Sequence, residues 1–98
     1  MKAVELLRER VALSETSFAE LVLWRVPRAV AGSSHFFKYR LAYVVDGECV
    51  LRYDNEPGKG DHRHRGDREF AYAFRSPETL VADFQRDIAR WNRENRHT

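Results

Sequence analysis

Between Tyr53 and His64 the chain gathers side chains able to move protons and bind phosphate. Asp54-Asn55-Glu56-Pro57-Gly58-Lys59-Gly60-Asp61-His62-Arg63-His64 places two imidazoles, an ammonium, a guanidinium and three carboxylates within eleven positions. Three readings fit. In the first, His62 and His64 act as base and acid in RNA cleavage, because an imidazole titrates near working pH. Lys59, with Arg52 and Arg63 nearby, then stabilises the charge on the pentacoordinate phosphorus, and Asp54 or Asp61 orients a histidine. Tyr53, Asn55, Glu56 and Gly60 complete the substrate-binding set. In the second, His62, His64 and Asp61, with Glu56 or Asp54, hold a divalent metal that activates water. In the third, the charges only keep a surface loop solvated.

Gly58-Lys59-Gly60 lets the backbone approach a ligand closely and offers amides to an anion. It is not a nucleotide-binding P-loop: the G-x-x-x-x-G-K-[ST] spacing is missing, and no helix is expected to follow. ATP hydrolysis is therefore not expected, and the first reading needs no nucleotide or metal cofactor. Other groups rank lower. His35, beside Phe36, reads as structural, and His97 falls in a terminal tail expected to be disordered. Cys49 reads as a small buried hydrophobe, and Trp24 and Trp91 read as core. Tyr39, Tyr43 and Tyr72 could stack on bases or pack against a helix.

These groups must be positioned by strands. Residues 3–13 and 18–26 read as a hairpin across the polar break Ser14–Ser17, with helix as the lesser reading of the first. Residues 36–45 alternate Phe37, Tyr39, Leu41, Tyr43 and Val45 with Lys38 and Arg40 opposite. Asp46-Gly47 then calls for a type I′ turn into a strand over 48–54. Residues 54–69 read as a polar loop, and Phe70–Phe74 as a short fifth strand. Ser76-Pro77-Glu78 opens a helix that runs to about Asn95, with Leu80, Val81, Phe84, Ile88 and Trp91 on one face. The expected fold is α+β: one domain over residues 1–98, an antiparallel sheet of about four to five strands with one C-terminal helix packed across it.

Composition narrows the class. Hydrophobic residues at 43% and charged residues at 33% describe an ordinary globular chain. No apolar run approaches the roughly 20 residues that cross a bilayer, and Met1-Lys2 leads into Glu5, Arg8, Glu9 and Arg10 without a signal-peptide core. One cysteine excludes an internal disulfide. A cytoplasmic protein without a membrane partner is expected. A chain this short buries only about 65% of its unfolded surface, so a homodimer or other complex would add stability. Of the 17 basic residues, 14 are arginine, a bias that suits phosphate and base contacts but that a G+C-rich genome also produces.

The segment FKYRLAYVVDGECVLRYDNEPGKGDHRH, Phe37 to His64, resembles the signature of the TumE-type toxins of bacterial toxin–antitoxin pairs. FAELVLWRVP, Phe18 to Pro27, and SPETLVADFQRDIARW, Ser76 to Trp91, are also similar to that family. RYDNE followed by GKGDHRH is the most specific part. The resemblance implies a small cytoplasmic growth inhibitor neutralised by a cognate antitoxin that itself binds DNA. It carries Tyr53, Asp54, Asn55, Glu56, Lys59, Gly60, Asp61, His62 and His64 as motif positions. By analogy with other small toxins it implies an endoribonuclease, with RNA as substrate. The alternatives are a toxin or regulator that only binds RNA or protein, and a metal-dependent enzyme that modifies nucleotides or RNA ends.

Overall fold

The computed structural model describes residues 2–95; His97 lies outside the described residues. Six strands form one antiparallel sheet in chain order: β1 (Val4–Ala12), β2 (Ser17–Arg25), β3 (Phe37–Val45), β4 (Glu48–Asp54), β5 (His62–Arg65) and β6 (Arg68–Ala71). One helix, α1 (Pro77–Asn95), packs on β3 and β4. The α+β class is as expected, with one strand more than the upper bound. No helix among the described residues is long and apolar enough to cross a membrane.

The hairpin turn follows its sequence signal. Asp46 and Gly47 both take positive φ, 52° and 79°, and join Val45 to its partner Glu48, as a type I′ turn requires. At the helix start, Ser76 Oγ accepts the Thr79 amide at 3.0 Å, so the N-cap also forms as expected.

The expected loop over 54–69 is shorter than the sequence indicated. His-Arg-His-Arg contains no aliphatic residue, yet it forms β5 because β4 and β6 pair with it on both sides. Gly66-Asp67 supplies the two-residue turn into β6, with Gly66 at φ 62°. The expected strand over Phe70–Phe74 starts earlier and stops at Ala71. Beyond it the chain leaves the sheet, and Phe74 stacks on His35 with ring centroids 3.8 Å apart.

Strand alternation gives the sheet two unlike faces. Toward the helix lie Leu21, Leu23, Tyr39, Leu41, Tyr43, Leu51 and Tyr53, all buried with Leu80 and Phe84. The opposite face carries Val22, Trp24, Lys38, Arg40, Arg52, Asp54, His62 and His64, none of them fully buried. No described helix or strand covers it. Trp24 is therefore not a core residue, contrary to expectation. Cys49 is exposed rather than buried, because the bulge opposite Tyr43 and Val44 displaces it near the hairpin end.

Three phenols tie the helix down, Tyr43 and Tyr53 from the sheet and Tyr72 from the segment just after β6. Tyr72 donates to Asp83, Tyr53 to Asp87 and Tyr43 to Asn92, each at 2.6 Å. Burial first, and the facing aspartate second, push the Tyr53 and Tyr72 phenols above their ordinary value. Burial opposes ionisation of Asp83, but the Tyr72 hydroxyl and Arg86 outweigh it and lower its pKa.

A second tie joins two loops. Gly32 (φ 94°) and Gly60 (φ 76°) cross so closely that a Cβ on Gly32 would sit 2.6 Å from the Gly60 nitrogen. Gly58 N–H donates to Ala31 C=O at 2.7 Å. This crossing fixes where the chain enters β5.

Two outcomes follow for stability. Tyr53→Phe removes a hydrogen bond to a charged group and should cost about 1.5–3 kcal/mol in urea denaturation, whereas a neutral effect would mean Arg63 and Arg65 suffice for Asp87. Gly32→Ala combines left-handed strain with a backbone collision and should cost about 2–4 kcal/mol. Gly47→Ala, with open space around it, should cost only the strain of about 1–2 kcal/mol. The raised phenols hold protons that the unfolded chain releases, so their stabilisation is complete below about pH 10 and declines above it.

Candidate functional site

The alternation that builds the sheet divides the sequence motif into three groups. Arg52, Asp54, His62 and His64 share the uncovered face. Tyr53 and Arg63 point under the helix. Asn55 and Asp61 turn toward the connection between β2 and β3, and Glu56, Lys59 and Gly60 lie on the short loop before β5.

On the uncovered face, Arg52 pairs in register with His64, and Asp54 with His62. The two imidazole centroids are 6.2 Å apart with planes tilted by 40°. Hydrogen-bond partners assign the ring protons. His62 Nδ1 lies 2.9 Å from Gly60 C=O; a carbonyl only accepts, so Nδ1 carries the proton. His62 Nε2 faces Glu69 at 3.3 Å. His64 Nε2 lies 3.2 Å from Arg52 Nη2; a guanidinium only donates, so this nitrogen holds a lone pair and Nδ1 carries the proton. His64 Nδ1 has no partner among the described residues. In the neutral tautomers the lone pair of His62 thus falls on Nε2, beside the Glu69 carboxylate, while His64 carries its N–H on Nδ1.

Asp54 orients this pair through Arg52. Its Oδ1 is 3.7 Å from His64 Nε2 and its Oδ2 is 3.0 Å from Arg52 Nε. The Arg52 Nε contact is close enough for an ion pair but is not aligned as a hydrogen bond, which leaves a buried donor unsatisfied. Buried donors without an aligned acceptor are uncommon in folded proteins.

Asp61 does not orient either of these histidines. Its carboxylate accepts from His35 Nε2 at 2.9 Å, Tyr39 OH at 2.9 Å and Ser33 Oγ at 3.2 Å. The Phe37 amide donates to His35 Nδ1 at 3.2 Å, so Nε2 is the nitrogen bearing the proton toward Asp61. Burial, then the Asp61 charge, drives the Tyr39 phenol upward. His35 is thereby a structural residue, as expected, and it takes the carboxylate that the motif had offered to catalysis. Asn55 is sealed at 1% exposure. It accepts the Tyr39 amide at 3.0 Å and donates to Phe37 C=O at 2.8 Å, so its groups are committed to the fold. Lys59 lies on an exposed loop and pairs with Glu56 at 3.3 Å. The Gly58 and Lys59 amides donate to Ala31 and Glu56 carbonyls, so this loop does not offer those two amides to an anion. The set His62, His64, Asp61 with Glu56 or Asp54 is split, and no described group of three His, Cys, Asp or Glu side chains is arranged around a common metal position.

Under the helix, a polar cleft of about 310 Å³ is lined by residues including Tyr53, Arg63, Tyr72, Arg75, Asp83 and Asp87. Here the cations largely face carboxylates: Arg63 lies 3.6 Å from Asp87, and Arg86 lies 2.8 Å from Asp83. Two residues missed as site members stand on the uncovered face. Lys38 and Arg40 are exposed and have no ion-pair partner among the described residues. Their alternation with Tyr39 and Leu41 was visible, but the strand register that sets them beside Asp54 was not.

The family model described as Toxin TumE matches residues 3–92. No curated protein and no solved structure matches the chain significantly. The match spans the whole sheet and most of the helix, motif included. The chain belongs to the TumE toxin family.

Proposed function

We propose that this toxin is an endoribonuclease whose acid–base pair is His62 and His64, acting with no metal or nucleotide cofactor. The observation that carries the reading is two imidazoles with ring centroids 6.2 Å apart on one uncovered face, each beside a carboxylate. A base must begin neutral and an acid as the imidazolium: Gly60 C=O keeps the His62 proton on Nδ1 and leaves Nε2 as the basic nitrogen, and Asp54, 3.7 Å from His64 Nε2, is a counter-ion for an imidazolium there.

His62 Nε2 takes the proton of a ribose 2′-hydroxyl as its oxygen attacks phosphorus. The bond from phosphorus to the 5′-oxygen breaks, and His64, which enters as the imidazolium, protonates that oxygen from Nδ1 and is left neutral. The products are a 2′,3′-cyclic phosphate and a 5′-hydroxyl, with the transferred proton on His62. Arg52, next to His64, is the cation suited to stabilise the phosphorane, with Arg40 one strand away. Asp54 holds Arg52. Lys59 and Arg63 lie outside this arrangement, as a loop cation and a helix-side cation. The family supplies the biological setting: a toxin implies a cognate antitoxin that neutralises it.

Purified protein should cleave total RNA in EDTA and leave cyclic phosphate ends. His62→Ala or His64→Ala should each lower the rate by about 10²- to 10⁴-fold, and the wild-type rate should show a bell-shaped pH dependence. Arg52→Ala should lower the rate while leaving the fold intact by circular dichroism. Cleavage that requires Mg²⁺ or Mn²⁺ would replace this reading with a metal-dependent one. Intact RNA in every lane would leave a toxin that acts by binding.

A further inference from the structure

The uncovered face continues past the histidines to a second feature. Trp24 on β2 lies opposite Lys38 on β3, and Val22 lies opposite Arg40. These side chains, with Ala3, Val26 and Tyr39, line an open cavity of about 430 Å³. The lining holds an aromatic ring, aliphatic walls and two cations, and it includes no carboxylate. A neighbouring cavity of about 450 Å³ shares Lys38, Tyr39 and Arg40 and reaches Arg52 and Asp54. Asp54 and Arg52 in turn pair in register with His62 and His64. The two cavities therefore form one path across the sheet, from Trp24 to Arg52 and Asp54, one strand short of the histidine pair. At about 4.8 Å per strand the span from β2 to β5 is roughly 14 Å, so a ligand engaging both ends is an oligomer.

We infer that Trp24, Lys38 and Arg40 form a nucleobase-stacking subsite for single-stranded RNA, which holds the strand whose scissile phosphate lies at His62 and His64. The inference rests on the ribonuclease reading of that face and adds where the rest of the substrate binds. Three observations favour RNA as occupant. An indole presents a π-face that stacks on any base, and stacking with flanking cations is how single strands are held without sequence reading. Lys38 and Arg40 have no described carboxylate partner, so they are free for phosphates. The charge is also asymmetric: the helix-side arginines form ion pairs with Asp83 and Asp87, whereas Arg40, although Asp54 lies across from it in register, and Lys38 form none among the described residues. An acidic protein segment would satisfy the cations, but it would have no use for the path toward the histidines.

The test measures binding of a fluorescently labelled, 2′-O-methyl single-stranded oligouridylate, which cannot be cleaved by 2′-hydroxyl attack. Trp24→Ala should weaken binding by about 10- to 100-fold, with Trp24→Phe retaining most of the affinity and both variants showing an unchanged thermal transition. Lys38→Ala/Arg40→Ala should weaken binding and flatten the salt dependence by about 1.4 in log–log slope, or 0.7 per released charge. His62→Ala/His64→Ala should abolish cleavage of ordinary RNA yet keep oligouridylate affinity within a few fold, which separates this subsite from the chemistry. If folded Trp24→Ala binds as tightly as wild type, the subsite is wrong although the histidine mechanism can stand. If Trp24→Ala loses only the cognate antitoxin and keeps RNA affinity, the cavity belongs to that protein and the inference is overturned.

Discussion

The buried hydrogen bond from Tyr53 to Asp87 sets the arrangement on which the molecule depends. A carboxylate at 8% exposure is costly unless it is satisfied, and Asp87 is satisfied by the Tyr53 hydroxyl with Arg63 and Arg65 beyond it. With Tyr72–Asp83 and Tyr43–Asn92 it fixes the helix in position along the sheet, where hydrophobic contact alone would be less directional. Because Tyr53, Arg63 and Arg65 lie on alternate positions of their strands, committing them to the helix commits Arg52, Asp54, His62 and His64 to the other side. The helix attachment and the exposure of the histidines are two consequences of one register.

The same economy governs the loop before β5. Gly32 and Gly60 pass in backbone contact, and Asp61 is drawn onto His35, Tyr39 and Ser33. These contacts hold Gly60 C=O in place, and that carbonyl determines which nitrogen of His62 bears the proton. A residue that would read as catalytic from its position in the motif thus acts on the site through the backbone. Asn55 does comparable work at the end of β4, bridging to the start of β3.

Charge is distributed according to face. The formal net charge of +2 gives little long-range attraction to RNA, but it conceals a division. Arginines under the helix lie against aspartates and help hold the fold, while Lys38 and Arg40 project from the uncovered face and form no ion pair among the described residues. Local unpaired cations beside an aromatic ring matter more for strand binding than the total does.

Periodicity and turn chemistry in the sequence determined most of the elements. β-forming composition specified β2, alternation β3, Asp46-Gly47 the tight hairpin into β4, and Ser76-Pro77 with the spacing of Leu80, Phe84 and Ile88 the helix, because these signals are local. The motif from Tyr53 to His64 was also legible as the place of interest and as a family mark. The β5–β6 hairpin was obscured because His-Arg-His-Arg lacks β-forming aliphatics, although Gly66-Asp67 was a usable turn signal. Glu20, on the same alternating face as Val22 and Trp24, was a sign that this face is not core. Only tertiary structure decided that Asp61 belongs to His35 and that Arg63 faces Asp87. It also decided that Trp24 lies open beside Lys38 and Arg40. Those outcomes depend on strand register and on a crossing between loops nearly thirty residues apart, and no local pattern encodes either.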